Sequence, residues 1–214
     1  IAKFVLKTLV NWTYPMAQQV VCVSKGGEAD FREYYGYKNN NLSTIYNPVL
    51  DDAYFEKLKV PVLHEFLNDD HKVILAVGRL TEAKNFGFLI HSFKALHDQH
   101  ADTRLIILGE GELRSELEAL IAQLNLTDVV DLPGFDTNPY AYFKYASLFV
   151  LSSNWEGLPG VLIQALASKV KVVSTDCPSG PREILDHTKF GLLVECNDQA
   201  GLTQAMQQAI FADY

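Results

Sequence analysis

Arg79 and Lys84 lie in "GRLTEAKN", Gly78 to Asn85, where a short apolar run gives way to an amphipathic one. An arginine fork and a lysine point charge, set beside the free N–H groups of a helix start, suit a diphosphate. The plain alternative is two solvated cations. In "GEGE", 109–112, Gly109 opens a pattern like a dinucleotide fingerprint, but Arg114 occupies the third glycine position, so the stretch also reads as a tight strand–helix turn at Gly111. In "PGFDTNPY", 133–140, Gly134 and Phe135 offer backbone polar groups and a flat apolar wall to a base, or else a turn whose Phe135 closes the core.

Other chemistries lack their residues. No HExxH, CxxC, Walker A or Asp-X-Asp pattern occurs, so neither a zinc site nor a metal-bound nucleotide is expected. His97 and His100 end one helical stretch and are expected to be solvated. Ser152, Ser153 and Ser179 lack the context of a hydrolase nucleophile. Cys22, Cys177 and Cys196 are an odd number without metal-ligand spacing and read as small buried hydrophobes in a reducing compartment. The formal charge is −8, and it is uneven: residues 51–214 hold thirteen Lys/Arg against twenty-three Asp/Glu. Such an acidic body is a poor match for nucleic acid.

The elements that must position these residues alternate. Apolar runs at 73–77, 105–108, 129–132, 148–152, 170–174 and 191–195 predict strands; 86–98, 112–124, 139–146, 159–168, 181–186 and 199–211 predict helices. Near-continuous apolar strands alternating with amphipathic helices predict an α/β fold, a Rossmann-like parallel sheet with helices on both faces. Ligands in such sheets sit beyond the carboxyl ends of the strands. That rule selects the loops 78–85, 109–112, 133–138 and 153–160. Residues 1–59 read differently: a strand at 20–24, a helical stretch, an extended "STIYNP" and a short helix at 51–59, strands with no sheet of their own. They are expected to be the tail of a preceding domain, with 60–214 a nucleotide-binding domain. The opening "IAKFVLKTLVNW" reads as a helix packed on that domain, a membrane contact being the alternative. Ile1 is not an initiator, and an excerpt of a longer protein is expected.

In order along the chain, "VGRLTEAKN", "LIILGEGELRSELEALIAQLNLTDVVDLPGF", "ASLFVLSSNWEGLPGVLIQALA" and "VSTDCPSGPREIL" resemble the carboxyl-terminal, donor-binding half of a retaining nucleotide-sugar glycosyltransferase of the two-Rossmann-domain (GT-B) architecture, glycosyltransferase family 4-like. The resemblance covers about residues 20–214. It implies that Glu156, the first glutamate of a Glu-X7-Glu motif, contacts sugar hydroxyls. The second glutamate, which holds the ribose, is here Gln164, whose amide both donates and accepts; a surface-facing residue is the alternative. It further implies that Arg79 and Lys84 hold the diphosphate and that Phe135 lies beside the base. Pro159 suits a first helical turn, so the amides of Gly157, Leu158, Pro159's neighbour Gly160 and the loop around them face a phosphate, with Glu156 aimed at the sugar.

The implied activity is transfer of a hexose or N-acetylhexosamine, with retention, from a UDP donor to a glycan or lipid-linked acceptor in lipopolysaccharide or capsule synthesis. No cofactor or metal is expected, and the nucleotide sugar is substrate. The expected location is cytoplasmic, peripheral at the membrane through the preceding domain. This stretch alone is expected to bind donor without turnover. A non-catalytic sugar-nucleotide-binding module and a nucleotide-sugar epimerase of similar architecture remain alternatives.

Overall fold

The computed structural model describes residues 2–67 and 71–212. After α1 (Ala2–Thr13) come β1 (Val20–Cys22), α2 (Lys25–Tyr35), β2 (Leu42–Thr44) and α3 (Asp52–Lys57). Next are β3 (Lys72–Val77), α4 (Phe86–His97), β4 (Thr103–Leu108), α5 (Arg114–Gln123), β5 (Val130–Gly134) and α6 (Tyr140–Phe143). The chain continues through β6 (Leu148–Leu151), α7 (Gly160–Ala167), β7 (Val172–Thr175), α8 (Pro181–Ile184), β8 (Leu192–Val194) and α9 (Gln199–Phe211). Among the described residues, no helix is long and apolar enough to cross a membrane.

Six strands form one parallel sheet in the order β5-β4-β3-β6-β7-β8. The chain winds outward from β3 through β4 to β5, then returns to lay β6 against β3 and winds the other way. The direction therefore reverses between β3 and β6, and a crevice must open where the loops leaving those two strands diverge. Both faces of the sheet are covered, which is why its strands are mostly apolar. Ile74 and Ala76 of β3 pack toward α4, α5 and α9, while Val73 and Leu75 pack toward α6 and α7. Helix α4 buries Phe86, Leu89, Ile90, Phe93 and Leu96, a stripe at helical spacing. Each such burial is worth about 1.5–3 kcal/mol before conformational entropy is subtracted.

The strands of residues 1–59 have a sheet of their own, contrary to expectation. β1 and β2 pair in parallel, Val20 with Leu42 through Cys22 with Thr44, joined by α2. Ser24 caps α2 by accepting from the Gly27 N–H at 3.0 Å, and Gly36 ends it in the left-handed region. The expected helix at 139–146 is confined to Tyr140–Phe143, because the chain must turn to enter β6 at Leu148. His97 and His100 are half-buried rather than solvated. The His97 ring bonds Thr103 at the amino end of β4, away from the crevice, and the His100 ring stacks on Phe211.

Candidate active site

The loop leaving β6 runs Ser152, Ser153, Asn154, Trp155, Glu156, and it is laced to the loop leaving β3. Ser152 Oγ donates to the Lys84 carbonyl at 2.8 Å. The Asn154 N–H donates to the Ala83 carbonyl and its side-chain amide to the Glu82 carbonyl, both at 2.8 Å. Asn85, held at φ 50°, starts α4 and donates its amide to Asn154 Oδ1 at 2.9 Å. These bonds fix the two sides of the crevice against each other. Lys84 Nζ then reaches Glu156 Oε1 at 2.5 Å, with the two side chains only 20% and 10% exposed. Gly78 leaves room for the Lys84 stem, which a Cβ there would crowd at 3.2–3.3 Å.

Beside this pair, a cleft of 440 Å³ opens at the carboxyl ends of β3, β4 and β5, lined by Val77, Arg79, Gly109, Glu110, Phe135 and Pro139 among others. Arg79 is exposed, and no partner for its side chain is found among the described residues. Phe135 is 74% exposed on the cleft wall, so it does not close the core. Gly109 serves the wall itself: at φ 144°, its N–H donates to the Gly134 carbonyl at 2.8 Å. Arg114, where a dinucleotide fingerprint would have glycine, forks onto Glu110 with two 2.8 Å bonds and also bonds Glu118. Those carboxylates raise the guanidinium's pKa and keep it from acting as a free cation at the cleft mouth.

Gly157 follows Glu156 in a loop that ends at Pro159, the residue before α7, and Gly160 is the first residue of that helix. A Cβ on Gly157 would meet Val23 at 3.5 Å, and one on Gly160 would meet Val49 at 3.4 Å, so residues of the β1–β2 unit cover this loop. Leu158 is half-buried and Pro159 buried in it. Gln164 stands apart from the Lys84–Glu156 pair. It is half-buried, and its amide faces the Tyr140 hydroxyl at 3.5 Å, one residue beyond the cleft-lining Pro139. The Gln164 carbonyl accepts from the Tyr54 hydroxyl at 2.5 Å, which docks α3 on α7.

Of the residues selected from the sequence, Lys84 and Glu156 pair with each other and Arg79 and Phe135 line the neighbouring cleft; the lacing by Ser152, Ser153 and Asn154 was not expected. The signal was present in "SSN" directly after an apolar strand, a cluster of short polar side chains at a strand exit. Cys177, buried next to this loop, has its thiol pushed up to about 12, by burial first and by the Glu156 charge second. A thiol held so far above neutral has almost no thiolate, the form that acts as a nucleophile. Among the described residues, no group of three or more His, Cys, Asp or Glu side chains converges to hold a metal.

A parallel sheet wound in two directions, with Arg79, Lys84 and Glu156 in the loops beside its reversal point, is a Rossmann-type domain of the GT-B kind. Residues 64–211 match the family described as glycosyl transferases group 1, and the chain belongs to that family. It is 37% identical over 207 residues to the N-acetylgalactosamine-N,N'-diacetylbacillosaminyl-diphospho-undecaprenol 4-alpha-N-acetylgalactosaminyltransferase of Campylobacter jejuni, covering 97% of this chain and 54% of that protein. It is 32% identical to the amylovoran biosynthesis glycosyltransferase AmsD of Erwinia amylovora, covering 97% and 57%. The chain therefore spans about half the length of the curated relatives it matches. Among solved structures, Anabaena HepE in complex with UDP and glucose superposes with a TM-score of 0.80 at 20% identity, over 98% of this chain and 57% of HepE. At that identity the likeness concerns the fold.

Proposed function

We propose that this chain forms the donor site of a retaining glycosyltransferase that moves a hexose or N-acetylhexosamine from UDP to a glycan or lipid-linked acceptor in cell-surface polysaccharide synthesis. The observation behind the reading is the Lys84–Glu156 pair beside the exposed Arg79 at the reversal point of the sheet. Arg79, the spare N–H groups of Lys84 and the amides of the 157–160 loop stabilise charge that develops on the departing diphosphate, a contribution that dominates many such reactions. Glu156 orients the sugar, Phe135 flanks the base, and Gln164 holds the ribose. Departure and attack take place on one face of the sugar. The names of the relatives support a lipid-linked or polysaccharide acceptor, and a HepE–UDP complex of the same fold supports the nucleotide. The protein acts at the cytoplasmic face of the membrane.

The test is a panel of nucleotide sugars against the full-length protein with a lipid-linked acceptor, read by mass spectrometry in excess chelator and again with millimolar magnesium or manganese. The expected result is one UDP-sugar transferred with its anomeric configuration kept, at similar rates in all three media. Isomerised nucleotide sugar formed without acceptor would contradict the reading, and a strict manganese requirement would contradict the metal-independent chemistry.

A further inference from the structure

Ser152 and Ser153 follow directly on β6, and their hydroxyls are committed to different partners. Ser152 serves the lysine loop through the Lys84 carbonyl. Ser153, fully buried, donates its hydroxyl to Glu156 Oε1 at 2.6 Å. The same oxygen accepts from Lys84 Nζ. Both donors converge on Oε1, and among the described residues none reaches Oε2. Ser153 is itself fixed from behind: the buried Thr175 of β7 donates to its carbonyl at 2.6 Å. A lysine on a flexible four-carbon stem cannot hold a carboxylate in one orientation, whereas a hydroxyl anchored to two adjacent strands can.

We infer that Ser153 is a positioning residue for the donor sugar: it locks the Glu156 carboxylate with Oε1 committed and Oε2 turned outward as the acceptor for a sugar hydroxyl. Ser153 touches no substrate and acts through Glu156. The inference rests on the donor-site reading above, and it predicts a selective defect. Losing the Ser153 hydroxyl lets the carboxylate rotate, which weakens recognition of the sugar and leaves recognition of the nucleotide intact.

The test uses UDP, UDP-glucose and UDP-N-acetylglucosamine, titrated calorimetrically into the wild-type chain, Ser153→Ala, Glu156→Gln and the double variant. The quantity read is the ratio of UDP-sugar to UDP affinity for the better-bound sugar. Ser153→Ala should change UDP affinity little and lower the ratio about three- to tenfold, the worth of one hydrogen bond. In the Glu156→Gln background, Ser153→Ala should change the ratio no further, since neither side chain acts without the other. A general loss of packing would lower UDP and UDP-sugar affinity together, and that outcome overturns the inference. An unchanged ratio in Ser153→Ala overturns it as well, while leaving the donor site standing. Absence of UDP binding to the wild-type chain overturns the donor-site reading and this inference with it.

Discussion

Lys84 and Glu156 were assigned by sequence to different parts of a ligand, one to its phosphates and one to its sugar; in the structure they bind each other. Pairing is what physical chemistry demands of two largely buried opposite charges, since either alone would be strongly destabilising. On the proposed reading, a diphosphate would meet a lysine whose charge is already offset, beside Arg79, whose charge is not. Glu156→Gln should therefore tighten UDP binding, by about 1 kcal/mol or fivefold for a unit charge several ångströms away in a partly solvated cleft. The gain should shrink in a Lys84→Ala background if it passes through the lysine, which calorimetry on the four proteins would show. Weaker UDP binding by Glu156→Gln would sink this account of the pair. The types and spacing of Arg79, Lys84 and Glu156 were legible in the sequence because strand ends and helix starts were. Their mutual contact was not, because it depends on β3 and β6 being neighbours, and strand order leaves no mark in local pattern. Gln164 was legible as the second position of the Glu-X7-Glu motif; its place opposite Tyr140, which follows from how α6 packs, was not.

Among the elements, the strands and helices of the body were legible because apolar runs alternate with striped segments along the chain. The strand at 20–24 was legible as well, but its pairing with β2 through α2 was not, because pairing leaves no mark in local pattern. The glycine at the β4 exit was legible as a glycine, in a stretch that departs from a dinucleotide fingerprint at Arg114. A Cβ on Gly109 would lie 1.9 Å from the Gly78 carbonyl oxygen, so the residue lets two strand exits touch at the cleft wall. Gly109→Ala should cost more than about 2 kcal/mol, combining backbone strain at φ 144° with an overlap neither backbone can relieve. Gly36→Ala makes the control. It shares a positive φ, 64°, but nothing lies within 4 Å, so only conformational strain of about 1 kcal/mol is expected. Urea unfolding of both variants measures the difference, and equal losses would show that the contact at Gly109 yields readily.

At the scale of the whole molecule, contacts cross the expected boundary between residues 59 and 60. Glu183 of α8 accepts from the Lys25 N–H at 3.0 Å and from the Tyr46 hydroxyl at 3.2 Å, while Val23 and Val49 cover the glycines of the 157–160 loop. The β1–β2 unit therefore sits directly on the loop proposed to face the donor phosphates, and composition alone could not reveal this. The charge distribution was legible: at −8 overall, the chain has no general attraction for a nucleotide. On the proposed reading, binding comes from cations placed locally, and Arg79 lines the cleft exposed. That dependence is the central claim, and it is measured most directly by calorimetric titration of UDP into the wild-type chain and into Arg79→Ala. The account predicts a loss of about 1.5–3 kcal/mol in the variant, the range for hydrogen bonds to a charged group. Affinity equal to wild type would return Arg79 to the solvated surface and contradict the donor site built around it.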